Sequence, residues 1–265
     1  MTLHWIDRIA VEDEGEGEAV VCVHGLGRTS NTFTPLMGAL ARQRVLRVDM
    51  PGSGRSHAAL SGPLTIERLV DALQSVCSRL NVARAHWVGH SMGNIVCQHL
   101  ALAQPKLVRS LAMFGPLMAP PEAARTAIRA RAAKARAEGT AGMHEIALGL
   151  LNGAISAETR QRSPLAVAFV RESLMRQEAD AYARTCDALA EASAAAVERI
   201  EAPVLLVTGD EDGVAPPQQV RAFADKLHAA KSTRAVVLPK CGHWTPIERP
   251  EDCARELRDF LAAQR

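Results

Sequence analysis

Three residues have the types and settings that nucleophilic catalysis requires. Ser91 stands in Val88-Gly89-His90-Ser91-Met92-Gly93-Asn94, a G-x-S-x-G pattern entered from an apolar run and left by a helical one. Such a pattern puts serine on a turn sharp enough to project its hydroxyl from the end of a sheet. Gly89 and Gly93 flank it, where a Cβ would collide with the neighbouring strand or helix. Alone the pattern is weak, because Gly and Ser are common. A serine hydroxyl is also a poor nucleophile at neutral pH. It needs an imidazole to accept its proton and a carboxylate to orient that imidazole.

The sequence offers both. Asp212 lies in Gly209-Asp210-Glu211-Asp212-Gly213-Val214-Ala215-Pro216, just after an apolar run. Its rivals are Asp210, nearer the strand end and suited to holding the turn, and Glu211, expected to face solvent. His243 lies in Cys241-Gly242-His243-Trp244, after the last apolar run. The order Ser, Asp, His is the one expected when all three sit at carboxyl ends of parallel strands. Gly115-Pro116-Leu117, after another strand, offers no competing acid. An oxyanion hole completes the constellation, each N–H donor contributing roughly 3–4 kcal/mol. The expected donors are the backbone N–H groups of Met92 and of Leu26, in His24-Gly25-Leu26-Gly27. His24 is expected to hydrogen-bond its own loop, and His90 to point away from Ser91.

The surrounding elements must deliver these residues to one edge. Ala19–Val23, Arg44–Asp49, His86–Val88, Val108–Phe114, Pro203–Thr208 and Arg234–Leu238 read as strands. Several are apolar throughout, as for strands buried on both faces. Residues 3–11 read as an edge strand and Glu12–Glu18 as a turn. Helices are expected near Asn31–Arg42, Thr65–Leu80, Met92–Ala103, Gln218–Ala229 and Pro250–Ala263. The alternation means βαβ units and a parallel sheet. It breaks at Gly115 and resumes near Ile200; the Ala- and Arg-rich text between is helical. The expected organisation is a sheet domain of residues 1–114 and 200–265 with a helical cap, 115–199, inserted over Ser91.

Composition excludes several functions. The 265 residues carry a net charge of +2 and only 3% aromatics, neither a nucleic-acid footprint nor a stacking platform. No uncharged apolar run of about eighteen residues suggests a membrane span. The first residues contain no apolar signal segment, so a cytoplasmic protein is expected. The six scattered cysteines read as buried free thiols. The histidines show no metal-ligand spacing, so neither a metal nor any other cofactor is expected.

The chain resembles the α/β-hydrolase fold superfamily. The residues that carry the likeness are His24-Gly25, Asp49 to Ser56, Gly89-His90-Ser91-Met92-Gly93, Gly209-x-x-Asp212-x-x-x-Pro216 and Gly242-His243-x-x-x-x-Glu248-x-Pro250. They span both halves of the sheet domain. It is more loosely similar to 3-oxoadipate enol-lactonases and small bacterial esterases. The resemblance implies an α/β fold: a mostly parallel central sheet with helices on both faces and a helical cap. It implies a small carboxylic ester or lactone as substrate, cleaved by Ser91, His243 and Asp212. Alternatives on this fold are a C–C bond hydrolase of meta-cleavage products, a perhydrolase and a slow-turnover small-molecule receptor. Gly25, Leu117, Met118 and Trp244 are the expected substrate contacts, with Met143, Leu150, Leu151, Phe169, Leu174 and Tyr182 as further pocket candidates. Arg125, Arg129, Arg131, Lys134 and Arg136 read either as a clamp for a substrate carboxylate or as a solvated helix face. A homodimer is left open.

Overall fold

The computed structural model describes residues 1–264. In chain order the strands are β1 (Thr2–Ile6), β2 (Ile9–Glu14), β3 (Ala19–Val23), β4 (Arg44–Val48), β5 (Ala85–His90), β6 (Val108–Phe114), β7 (Val204–Gly209) and β8 (Thr233–Leu238). They form one sheet in the order β1-β2-β4-β3-β5-β6-β7-β8. β2 runs antiparallel to both its neighbours, and every pairing from β4 through β8 is parallel.

The helices are α1 (Ile66–Arg79), α2 (Met92–Ala103), α3 (Glu122–Glu138), α4 (Thr140–Ala154), α5 (Ala157–Arg162), α6 (Pro164–Met175), α7 (Ala179–Ala190), α8 (Pro217–Lys226), α9 (Thr245–Glu248) and α10 (Pro250–Ala262). α1 starts where Thr65 accepts the Arg68 N–H at 3.2 Å, satisfying one of the four orphan donors of a helix start. It buries Ile66, Leu69, Val70, Leu73, Val76 and Cys77, one face at helical spacing.

Strand residues alternate between two cores. Val21 and Val23 of β3 pack with α1 and α2, while Val20 and Cys22 pack with the 3-10 helix Ser30–Leu40 and with α10. The same alternation separates Leu206 from Leu205 and Val207 in β7. This is the period-2 geometry of a strand covered on both faces. Burying each such side chain contributes about 1.5–3 kcal/mol, before the entropy of ordering it.

The amino-terminal region differs from the expectation of a single edge strand. β1 and β2 form a hairpin whose turn residues Asp7 and Arg8 have φ of 49° and 68°. Glu12 to Glu14 belong to β2 rather than to a turn. Glu12 is buried because Arg47 and Arg55 both reach it, each at 2.8 Å. The helical stretch near Asn31 is a 3-10 helix with Pro35 inside, whose missing N–H forbids a regular α-helical ladder there. All six cysteines are buried free thiols. Among the described residues no helix is long and apolar enough to cross a membrane.

Candidate active site

β3, β5, β7 and β8 run parallel, so the segments leaving their carboxyl ends meet along one edge. His24-Gly25 follows β3, Ser91 follows β5, Asp212 follows β7 and His243 follows β8. Ser91 sits between β5 and α2 at φ 56°, ψ −124°, an unusual conformation for a residue with a Cβ. Neighbours hold it there. Its N–H donates to the Phe114 carbonyl at 3.0 Å, and Asn94 Nδ2 donates to the same oxygen at 2.8 Å. A Cβ on Gly93 would strike the carbonyls of Val23 and His24, and one on Gly25 would lie 2.6 Å from the Ser91 Cβ. The turn can pack this tightly only because those side chains are absent.

The expected catalytic side chains form one hydrogen-bonded chain. His243 Nε2 lies 2.8 Å from Ser91 Oγ, and His243 Nδ1 lies 2.9 Å from Asp212 Oδ2. Asp212 Oδ1 accepts the N–H groups of Val214 and Ala215, both at 2.8 Å, and Thr208 Oγ1 lies 3.2 Å from Oδ2. Burial alone would raise the Asp212 pKa. The facing His243 and the two backbone N–H groups outweigh it and hold the carboxyl below its usual range. Asp210 instead accepts the Cys241 N–H at 3.1 Å and so holds the turn. Glu211 is exposed, but it also accepts the Ala157 N–H at 2.8 Å, tying this loop to the start of α5.

Met92 opens α2, so its N–H has no intrahelical acceptor. Leu26 lies across the site on the β3 loop and, like Ser91, lines the cavity. His24 fixes that loop. It accepts the Met50 N–H at Nε2 (2.9 Å), which leaves Nδ1–H to donate to the Gly25 carbonyl, also at 2.9 Å. Burial depresses its pKa, consistent with a neutral ring. His90 does more than point away from Ser91. Its Nε2–H donates to the His243 carbonyl at 2.8 Å, bracing the loop that carries the base.

A cavity of about 290 Å³ opens at Ser91 and His243. Leu117, Met118 and Trp244 line it, with Leu150 of α4, Leu174 of α6 and Tyr182 of α7. Gly25 is not a lining residue; it serves close packing beneath Ser91. Met143 and Leu151 are buried away from the cavity, and Phe169 borders a different, polar cleft. The basic stretch is mostly engaged elsewhere. Arg125 donates to the Ala190 and Ala192 carbonyls, Arg129 pairs with Glu191, Lys134 with Glu138 and Glu145, and Arg136 with Asp187. Only Arg131 of that group reaches the cavity wall.

Two residues that motif spacing did not single out as site residues matter here. Glu248 accepts the N–H groups of Ser156 (2.7 Å), Gly242 (3.0 Å) and Trp244 (3.0 Å), binding the His243 loop to the start of α5. Arg28 is buried in the cavity wall, its guanidinium carbon 3.8 Å from the Trp244 ring centroid. The available signal for Arg28 was a lone cation in a glycine-rich loop at a strand's carboxyl end.

A family model described as alpha/beta hydrolase fold matches residues 18–250. The chain is 30% identical over 263 residues to a pimeloyl-(acyl-carrier protein) methyl ester esterase of Neisseria meningitidis, covering 91% of this chain and 93% of that one. It is 25% identical over 253 residues to an (E)-2-((N-methylformamido)methylene)succinate hydrolase of Acinetobacter baylyi, covering 94% and 92%. Among solved structures, an enol-lactonase from Burkholderia xenovorans LB400 superposes with a TM-score of 0.87 at 28% identity, covering 98% of this chain and all of that one.

Proposed function

The chain belongs to the alpha/beta hydrolase fold family, and from that premise we propose that it is a serine hydrolase of small carboxylic esters or lactones. The observation that carries this reading is the unbroken Ser91–His243–Asp212 hydrogen-bond chain at the mouth of an apolar cavity. The likeness to an enol-lactonase and to a methyl ester esterase supports the choice of bond.

Asp212 accepts Nδ1–H of His243, which leaves Nε2 free to accept the Ser91 proton. Ser91 Oγ attacks the carbonyl carbon as that proton moves to Nε2, and the carbonyl electrons move onto oxygen. The N–H groups of Leu26 and Met92 stabilise this oxyanion. Collapse of the tetrahedral adduct expels the alkoxide, which takes the proton from Nε2–H. A water then gives a proton to His243 and attacks the acyl carbon, and the second collapse returns the proton to Ser91. Asp212 stays ionised and stabilises the imidazolium at each stage. On the same reading residues 115–199 form a cap over a core of residues 1–114 and 200–265, supplying the roof of the cavity.

Ser91→Ala is expected to abolish turnover of 4-nitrophenyl acetate while leaving the melting temperature close to that of the parent. Parent-like activity in that variant overturns the mechanism. A panel of esters and lactones on which the parent never completes several turnovers defeats the enzyme reading in favour of a receptor.

A further inference from the structure

The cavity beside Ser91 contains more hydrogen-bond donors than the chain itself uses. Most of its wall is apolar, yet Arg28, Arg131 and Tyr182 all line it. Arg28 is only 4% exposed. Its Nη1 donates to the Leu26 carbonyl at 3.1 Å, but its Nε is buried with no partner. The acids whose charges reach it, Asp212 and Glu248, are already committed to His243 and to backbone N–H groups. Burial pushes Arg28 down to about 9, which still leaves it cationic at neutral pH.

Arg131, half-buried on α3, also lines the cavity. Its neighbours along α3 each have a carboxylate or carbonyl partner, whereas its Nε is buried and unpartnered. Tyr182, 1% exposed, lines the same cavity, and its hydroxyl is buried without a hydrogen bond. A buried cation without a counter-ion is costly, and so is each unpaired donor. Around one small cavity a buried arginine, a half-buried arginine and a buried neutral hydroxyl share a deficit of negative charge and acceptor atoms.

A carboxylate supplies both. It carries one negative charge and accepts up to about four hydrogen bonds in a plane, matching the edge of a guanidinium. We propose that Arg28, Arg131 and Tyr182 form a binding site for a carboxylate on the substrate, so that the ester or lactone cleaved at Ser91 is an anionic one. This rests on the hydrolase reading above for the reaction but not for the binding. Arg28 also braces Trp244 beside the base, so Arg131 is the cleaner position to test.

The test compares monomethyl esters of succinate, glutarate and adipate with the neutral dimethyl esters, following acid release. The parent is expected to favour the half-esters in kcat/KM by at least about tenfold, the scale of one charge-assisted hydrogen bond. Arg131→Met lowers that preference mainly by raising KM for the half-esters, and Arg131→Lys restores part of it. Calorimetry of glutarate with the Ser91→Ala protein is expected to show binding that the added Arg131→Met change abolishes. Equal rates on both ester classes with no glutarate binding overturn the subsite while leaving the hydrolase intact. Glutarate binding without turnover of any ester has the reverse meaning. An Arg131→Met variant that alters neither preference nor binding also overturns the assignment.

Discussion

Asp212→Asn separates orientation of the base from its mere presence. Asp212 Oδ1 accepts two backbone N–H groups at 2.8 Å and lies 3.1 Å from His243 Nδ1, while Oδ2 is nearer to that nitrogen, at 2.9 Å. Asparagine can satisfy Val214 and Ala215 only by keeping its oxygen on their side, which turns its NH₂ group toward His243. The opposite flip would set that NH₂ against two N–H donors, at about 1–3 kcal/mol for each acceptor lost. Thr208 does not resist the change, because its hydroxyl can donate to the Ala215 carbonyl at 2.6 Å instead. His243 must then accept at Nδ1 and carry its proton on Nε2, facing Ser91 as a donor. The base is present but in the wrong tautomer. The expected loss in kcat is about 10⁴-fold, equivalent to about 5 kcal/mol of barrier. The assay is steady-state hydrolysis of 4-nitrophenyl acetate at pH 7.5, with thermal melting of the same sample. A kcat within about tenfold of the parent, in a variant that melts normally, refutes the tautomer argument.

Two further outcomes follow from groups that support the site. Glu248→Ala strands three backbone N–H groups at the His243 loop. It should cost about 3 kcal/mol, or roughly 6–12 °C in Tm, with Glu248→Gln recovering part of the loss; an unchanged Tm removes the loop-anchoring role. His24, His86 and His90 are each held below the usual histidine pKa by burial, so the unfolded chain binds more protons than the folded one below about pH 6.5. Stability is therefore fully present above that pH and falls as the medium is acidified through it, before the carboxylates titrate. A Tm that is flat between pH 8 and 5.5 contradicts the account, and His90→Gln should shallow the slope.

The parallel part of the sheet was legible because strands covered on both faces are largely apolar, as β3 is throughout and β7 is from Val204 to Val207. β2 was not, because its buried Glu12 looks like loop text until Arg47 and Arg55 are seen to neutralise it. The hairpin turn hid for a related reason: Asp7-Arg8 lacks the Asn or Gly that usually announces positive φ. Ser91, Asp212 and His243 were readable as candidates because their chemistry constrains both residue type and strand end. The cavity wall was not. Whether an arginine on α3 faces Glu191 or the cavity depends on helix rotation and packing, and α3 carries little apolar patterning to fix that rotation. Arg28 carries no legible signal of burial, because a charged residue in a loop is ordinarily solvated.

The five helices α3 to α7 leave the sheet after β6 and return at β7, and these two strands are direct neighbours, with Phe114 paired to Val207. On the proposed reading, such a seam decouples inheritance of the reaction from inheritance of the substrate. A longer, shorter or wholly rewritten excursion alters loop-closure entropy by only about 0.6 kcal/mol per doubling of its length. It leaves the register of every strand untouched. Descendants of such a chain can exchange one molecular diet for another by editing a single continuous stretch, while the machinery beneath is copied unchanged.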